Sequence, residues 1–180
     1  MESDPNIDET ERAVLVALSA QIGQHFKEYS SLAPTKPSVV VENGHVTELY
    51  IIRLTQSSDI QPLQAFPTEL TQLPKLKYLS LVGHQMLSIP ESIGELTNLI
   101  SLDLSWNPIH EISQNLTRLT QLKELNISFN RMDALPQWLE EFAHDNYMTI
   151  INKRPTGSRL GDEPNDGPED PWRDFANYPY

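Results

Sequence analysis

Residues 76–98 read LKYLSLVGHQMLSIPESIGELTN, residues 99–121 read LISLDLSWNPIHEISQNLTRLTQ, and residues 122–144 read LKELNISFNRMDALPQWLEEFAH. Stacked in that order, these three 23-residue segments place apolar residues over apolar residues. Leu76, Leu79 and Leu81 sit over Leu99, Leu102 and Leu104, and over Leu122, Leu125 and Ile127. Met86, Ile109 and Met132 form the next column, then Ile89, Ile112 and Leu135, then Ile93, Leu116 and Leu139, then Leu96, Leu119 and Phe142. One polar column runs among them: His84, Asn107 and Asn130. Self-similarity at a fixed period of roughly 20–50 residues marks a solenoid or a related array. Leu102 and Leu104 are two apart, the spacing that turns both side chains to one face of a strand. Each repeat then buries the apolar columns of its neighbour. In the polar column an Asn amide can bond backbone groups where the chain turns away from the strand.

The register continues on both sides. Phe66-Pro67-Thr68-Glu69-Leu70 lies one period before Ile89-Pro90-Glu91-Ser92-Ile93. VTELYI, residues 46–51, supplies a first strand, but Val46 and Leu76 are 30 residues apart. About seven extra residues therefore sit within TQSSDIQPLQ, residues 55–64, as an insertion expected to be a structural bulge on a repeat loop. Downstream, the same count puts Met148 and Ile150 in the second and third strand columns, with YMTII at 147–151 as the last strand. Upstream, Asp4-Pro5 or Asp8 starts a helix. Leu15, Leu18, Ile22, Phe26 and Tyr29 recur along one helical face, and Pro34 and Pro37 end it. VVVENGHVTELYI reads as a hairpin with Asn43-Gly44 in a type I′ turn. Solenoid ends must be covered. The expected organisation is an N-terminal capping helix and hairpin strand over residues 1–45 and repeats over 46–151. An acidic Pro/Gly-rich tail over 152–180 follows, with the composition of a disordered segment.

The pattern L-x-x-L-x-L-x-x-N-x-L, continued by I/L-P-x-x-I/L, resembles the leucine-rich repeat family in its 23-residue intracellular class. The resemblance covers residues 46–151, with His84 departing from the Asn of the motif. It implies an α/β solenoid, a short horseshoe whose parallel sheet lines the concave side. It also implies a protein partner bound on that side, by the strand residues that point away from the core. Tyr50, Ser80, Asp103 and Asn126 form one such column, and Tyr78 and Glu124 belong to the column before it. Arg53, Trp106 and Phe129 stand just ahead of the Asn turn. Trp106 and Phe129, in adjacent repeats, form an aromatic pair of the kind that anchors interfaces. Proteins with similar repeats act as scaffolds or regulators of signalling proteins. The function expected is therefore non-catalytic binding of a partner protein through the concave face, with no cofactor.

Composition narrows the alternatives. The 180 residues hold 13 Lys+Arg and 25 Asp+Glu, a formal charge of −12, which argues against nucleic acid and favours a partner with a basic surface. No apolar run approaches the ~20 residues of a membrane span. The first 12 residues, MESDPNIDETER, carry five acids and one base, the reverse of a secretory leader. The sequence has no Cys, which excludes disulfides and thiolate chemistry and fits the reducing cytoplasm. No phosphate-binding loop, nucleophile elbow or paired-His metal motif occurs. His25, His45, His84, His110 and His144 are scattered, and His84 and His110 read as surface or turn residues. Glu140-Glu141 reads as a solvated helix face. Neither an enzyme nor a small-molecule site is indicated. One alternative function remains in the tail, where Trp172, Phe175, Tyr178 and Tyr180 are unusual in a purely solubilising segment. They could dock on a partner enzyme, making the chain a regulatory subunit, or pack on the last repeat or on the concave face.

Overall fold

Each L-x-x-L-x-L run forms a strand, and most successive runs pair at the period of the repeat. The computed structural model describes residues 7–28, 36–53 and 59–154. Helix α1 (Glu9–Ile22) comes first, then β1 (Lys27–Glu28), β2 (Ser38–Glu42) and β3 (His45–Ile52). The repeats contribute β4 (Tyr78–Val82), β5 (Ser88–Ile89), β6 (Ser101–Asp103), β7 (Glu111–Ile112) and β8 (Glu124–Asn126). Helix α2 (Gln137–Asp145) and β9 (Thr149–Ile151) complete the order. One sheet runs β1-β2-β3-β4-β6-β8-β9, parallel from β3 onward, while β5 and β7 make a separate two-stranded ladder. Short 3₁₀ helices at Thr68–Gln72, Glu91–Glu95 and Gln114–Arg118 form the opposite side of each repeat. The leucine columns fill the space between. Leu79, Leu81, Leu102, Leu104, Leu125 and Ile127 are all buried, each stabilising the stack by roughly 1.5–3 kcal/mol.

The polar column forms a buried ladder. The Asn107 amide donates to the carbonyls of Leu81 (2.8 Å), Leu104 (3.0 Å) and Ser105 (3.2 Å). Asn130 donates in the same way to Leu104, Ile127 and Ser128, and its Oδ1 accepts from the Ile109 amide at 3.0 Å. His84 repeats this arrangement with a ring. Its Nε2 donates to the Ile51 carbonyl at 3.0 Å, and its Nδ1 accepts from the Leu63 amide at 3.3 Å. His84 keeps the expected turn position, but the expectation of a surface residue is corrected: it is fully buried. Leu63 and Ile109 are two periods apart, so Nδ1 stands where Asn130 Oδ1 stands, while the ring serves one carbonyl where the Asn amide serves three.

The N-terminal segment departs from the sequence reading in two respects, the end of the helix and an added strand. Asp8 caps α1, its Oδ1 accepting from the Thr10 and Glu11 amides, so the second of the two proposed starts is the one used. The helix stops at Ile22, well before the prolines, because Gly23 turns left-handed at φ +66° and closes it. Phe26 is buried beyond the helix, ahead of a strand, β1, that the periodicity did not indicate. Tyr29 and Pro34 lie outside the described residues. The hairpin forms as expected, with Asn43 and Gly44 at φ +52° and +83°, the two left-handed positions of a type I′ turn.

Glu11 joins helix to hairpin. Only 1% exposed, it accepts from the Val46 amide at 2.6 Å and meets His45 Nδ1 at 2.7 Å. Glu11→Ala leaves a buried N–H without an acceptor and is expected to destabilise the protein by about 2 kcal/mol, whereas Glu11→Gln keeps an oxygen for Val46 and loses less. Urea denaturation of both variants checks this; equal losses would refute the role given to the Val46 bond.

The insertion packs inward. Ile60 and Leu63 are buried, the Gln61 amide donates to the Ile22 carbonyl at 2.8 Å, and Gln24 reaches the Asp59 carbonyl. At the other end, the last strand sits two residues away from its expected register. Leu125 pairs with Ile150 and Glu124 with Thr149, so Ile150 belongs to the second column, not the third, and Tyr147 is not opposite Glu124. The cause is α2: a nine-residue α-helix stands where the other repeats have five-residue 3₁₀ helices, and it takes up two more residues. An even shift leaves each side chain on its intended face. Residues 155–180 lie outside the described residues.

Candidate functional site

The outward residues of β3, β4, β6, β8 and β9 form one face. At about 4.8 Å per strand it is roughly 20 Å across. Strand pairing aligns Glu48, Tyr78, Ser101 and Glu124 in one row, and Tyr50, Ser80, Asp103 and Asn126 in the next. Tyr78 is 37% exposed, and Glu124 is exposed. The Tyr50 hydroxyl donates to Glu48 at 2.5 Å, two residues along the same strand and on the same side.

Asp103 and Asn126 form a rung between adjacent strands. Asp103 Oδ2 accepts from the Asn126 amide at 3.1 Å, and Oδ1 accepts from the Ser105 backbone at 2.9 Å. Asn126 Oδ1 in turn accepts from the Ser128 backbone at 3.1 Å. Both side chains are held half-buried in one orientation, which lowers the ordering cost of any contact they make. These two rows carry three carboxylates, on Glu48, Asp103 and Glu124, and no Lys, Arg or His, while exposed Lys153 stands beside Ser128 in the row that follows. Lys77 and Lys123 lie just outside and are turned to other groups, Glu42 at 3.4 Å and the Asn146 carbonyl at 3.0 Å. The face is therefore acidic.

Two of the nine expected site residues are not presented there. Arg53 is only 6% exposed, and its Nε donates to the Ile60 carbonyl at 3.2 Å. The insertion begins just after Arg53 and draws the side chain inward, so the position serves packing. Ser80 is also buried, between larger neighbours in its row. The other seven lie half-buried or exposed. Trp106 and Phe129 come together as a parallel stack, ring centroids 4.1 Å apart and planes 19° from parallel. Both hold left-handed backbone, at φ +58° and +56°. Trp172, Phe175, Tyr178 and Tyr180 lie outside the described residues. The sequence reading missed the buried roles of Glu11 and His84; for His84 the signal was its place in the Asn column. Among the described residues no group of His, Asp and Glu could hold a metal ion, and no helix is long and apolar enough to cross a membrane.

Residues 98–119 match the family model described as Leucine Rich Repeat. No curated protein matches the chain. Among solved structures, a leucine-rich repeat protein of Leptospira interrogans is similar, at 20% identity and a TM-score of 0.47. That match covers 79% of this chain, which spans only 38% of the Leptospira chain. The leucine-rich repeat ectodomain of the receptor kinase SOBIR1 from Arabidopsis thaliana is similar at 17% identity and a TM-score of 0.52, over 83% of this chain and 94% of that one. The second likeness carries the fold alone. The repeat register, the parallel ladder built on it and the match at residues 98–119 agree: the chain has the leucine-rich repeat solenoid fold.

Proposed function

We propose that the chain binds a partner protein through its concave face, without catalysis, as a scaffold or regulator. The observation behind this reading is the charge at the centre of the face: three carboxylates and no base in the two rows that run through Tyr78 and Asp103, with Asp103 and Asn126 held in a fixed rung. A partner with a basic surface complements it, and such complementarity steers encounter and selects the partner. Tyr78 offers an exposed aromatic beside the acids, a residue type common among interface anchors. Trp106 and Phe129 extend the surface toward the turn.

The test is a double substitution, Tyr78→Ala with Asp103→Lys, in the full chain. Affinity for a partner captured by the wild-type protein is expected to fall by about 30-fold, the effect of a residue pair worth about 2 kcal/mol. Binding at wild-type strength would sink the concave-face reading. Loss of the partner on removing residues 165–180, with the double variant still binding, would place the function in the tail instead.

A further inference from the structure

We propose that His84 is an acid-sensitive latch that fastens the insertion at residues 59–64 to the first repeat strand, so that protonation of the ring releases the insertion. The latch is built from two backbone bonds on one ring. Nε2 donates to the Ile51 carbonyl of β3, and Nδ1 accepts from the Leu63 amide of the insertion. A ring that accepts at Nδ1 must be neutral. Protonation puts a hydrogen on Nδ1, opposite the Leu63 N–H, and two donors then face each other. The corresponding positions of the following repeats, Asn107 and Asn130, cannot gain a proton in this way. Of the three members of this polar column, only the one that faces the insertion is titratable.

The surroundings oppose the charged ring. Burial, chiefly, and then the nearby Arg53 guanidinium hold the His84 pKa down, while the bond to Ile51 partly offsets them, and the result is about 4 against an ordinary 6.5. Arg53, the residue after β3, is the charged group that acts on the ring from that side. In the described insertion the one charged residue is Asp59, whose backbone carbonyl takes the Gln24 amide; Gln85, next in the chain, pairs with Gln64 at 2.6 Å. Released, the insertion also gives up the bonds from Gln61 to Ile22 and from Arg53 to Ile60. The end of α1 and the border of the concave face loosen together.

The direction follows from proton linkage. The closed state binds fewer protons, so the latch is at full strength above pH 6.5. It weakens as pH falls from 6.5 toward 4, with no further loss below that. Between pH 7.5 and pH 5 the opening equilibrium shifts by roughly 30-fold.

Amide hydrogen exchange on the full chain reads this out, corrected for the pH dependence of the chemical step. The Gln61 and Leu63 amides are expected to lose about 30-fold of protection at pH 5 relative to pH 7.5, while Leu102 and Leu125 in the sheet keep theirs. His84→Asn restores the Asn of the other repeats and is expected to remove the pH dependence. An insertion equally protected at both pH values, or a loss unchanged in His84→Asn, would overturn the proposal. The ring titration in the wild-type protein, followed by NMR, is independent of any variant. A His84 midpoint near 6.5 overturns the latch, and one well below it supports it.

Discussion

Asn107→Ala is expected to destabilise the protein by about 3 kcal/mol, a large share of the roughly 5–15 kcal/mol that holds a typical domain together. The side chain is fully buried, and its amide serves three carbonyls from two successive strands. Alanine leaves those carbonyls in a dry interior, at roughly 1–3 kcal/mol for each one that finds no replacement. The Leu104 carbonyl keeps its bond from Asn130 and the Ser105 carbonyl its bond from the Gly83 amide, so the loss falls mainly on Leu81. Among the described residues nothing donates to Asn107 Oδ1, so the damage comes from the lost amide and not from the lost oxygen. Asn107→Asp tests this division. It keeps the shape, replaces the donor by a second acceptor facing carbonyls, and is expected to be at least as destabilising as alanine. Chemical denaturation followed by circular dichroism measures both. A loss below about 1 kcal/mol for the alanine variant would show that the ladder is not what closes the turn.

Gly83→Ala is the second change with a large expected effect. Gly83 sits at φ +75°, and a Cβ there would lie 1.8 Å from the Arg53 carbonyl oxygen, which is backbone and cannot rotate away. The left-handed conformation alone is not prohibitive, since Trp106 and Phe129 adopt it in the same column. What differs is the preceding member of the column. Before Trp106 stands Gly83, in matching left-handed geometry. Before Gly83 stands Arg53, where the chain departs into the insertion without that turn. Its carbonyl occupies the space a side chain would need. The ends of β3 and β4 must separate to admit even a methyl group, at about 3 kcal/mol or more. For a chain of this size that lowers the melting temperature by about 10 °C. A shift under about 2 °C would mean that Arg53 yields easily.

The repeats were legible because seven apolar columns recur at one spacing and each column has a single physical use. The hairpin was legible because Asn43-Gly44 is suited to two successive left-handed residues. Three features were not legible, each for a local reason. The end of α1 was set by Gly23, while Phe26 continued the apolar spacing and masked the stop. The register of β9 was ambiguous by two because Met148 and Ile150 alternate correctly in either position, and only the length of α2 decides between them. On the concave face, the alternation correctly named which side chains point outward, but not how deeply each one sits. Arg53 and Ser80 are buried by what the insertion and their larger neighbours do, which no single column reveals.

The insertion also bears on how the chain finds its fold. Ile51 pairs with Leu81 across 30 residues, where Leu79 pairs with Leu102 across 23. Closing the longer loop adds only about 0.2 kcal/mol of chain entropy, because that penalty grows with the logarithm of length. The longer crossing therefore hardly slows the first strand in meeting the second. Contacts between neighbouring repeats are local in sequence everywhere along the sheet, and assembly can begin at any repeat and spread in both directions.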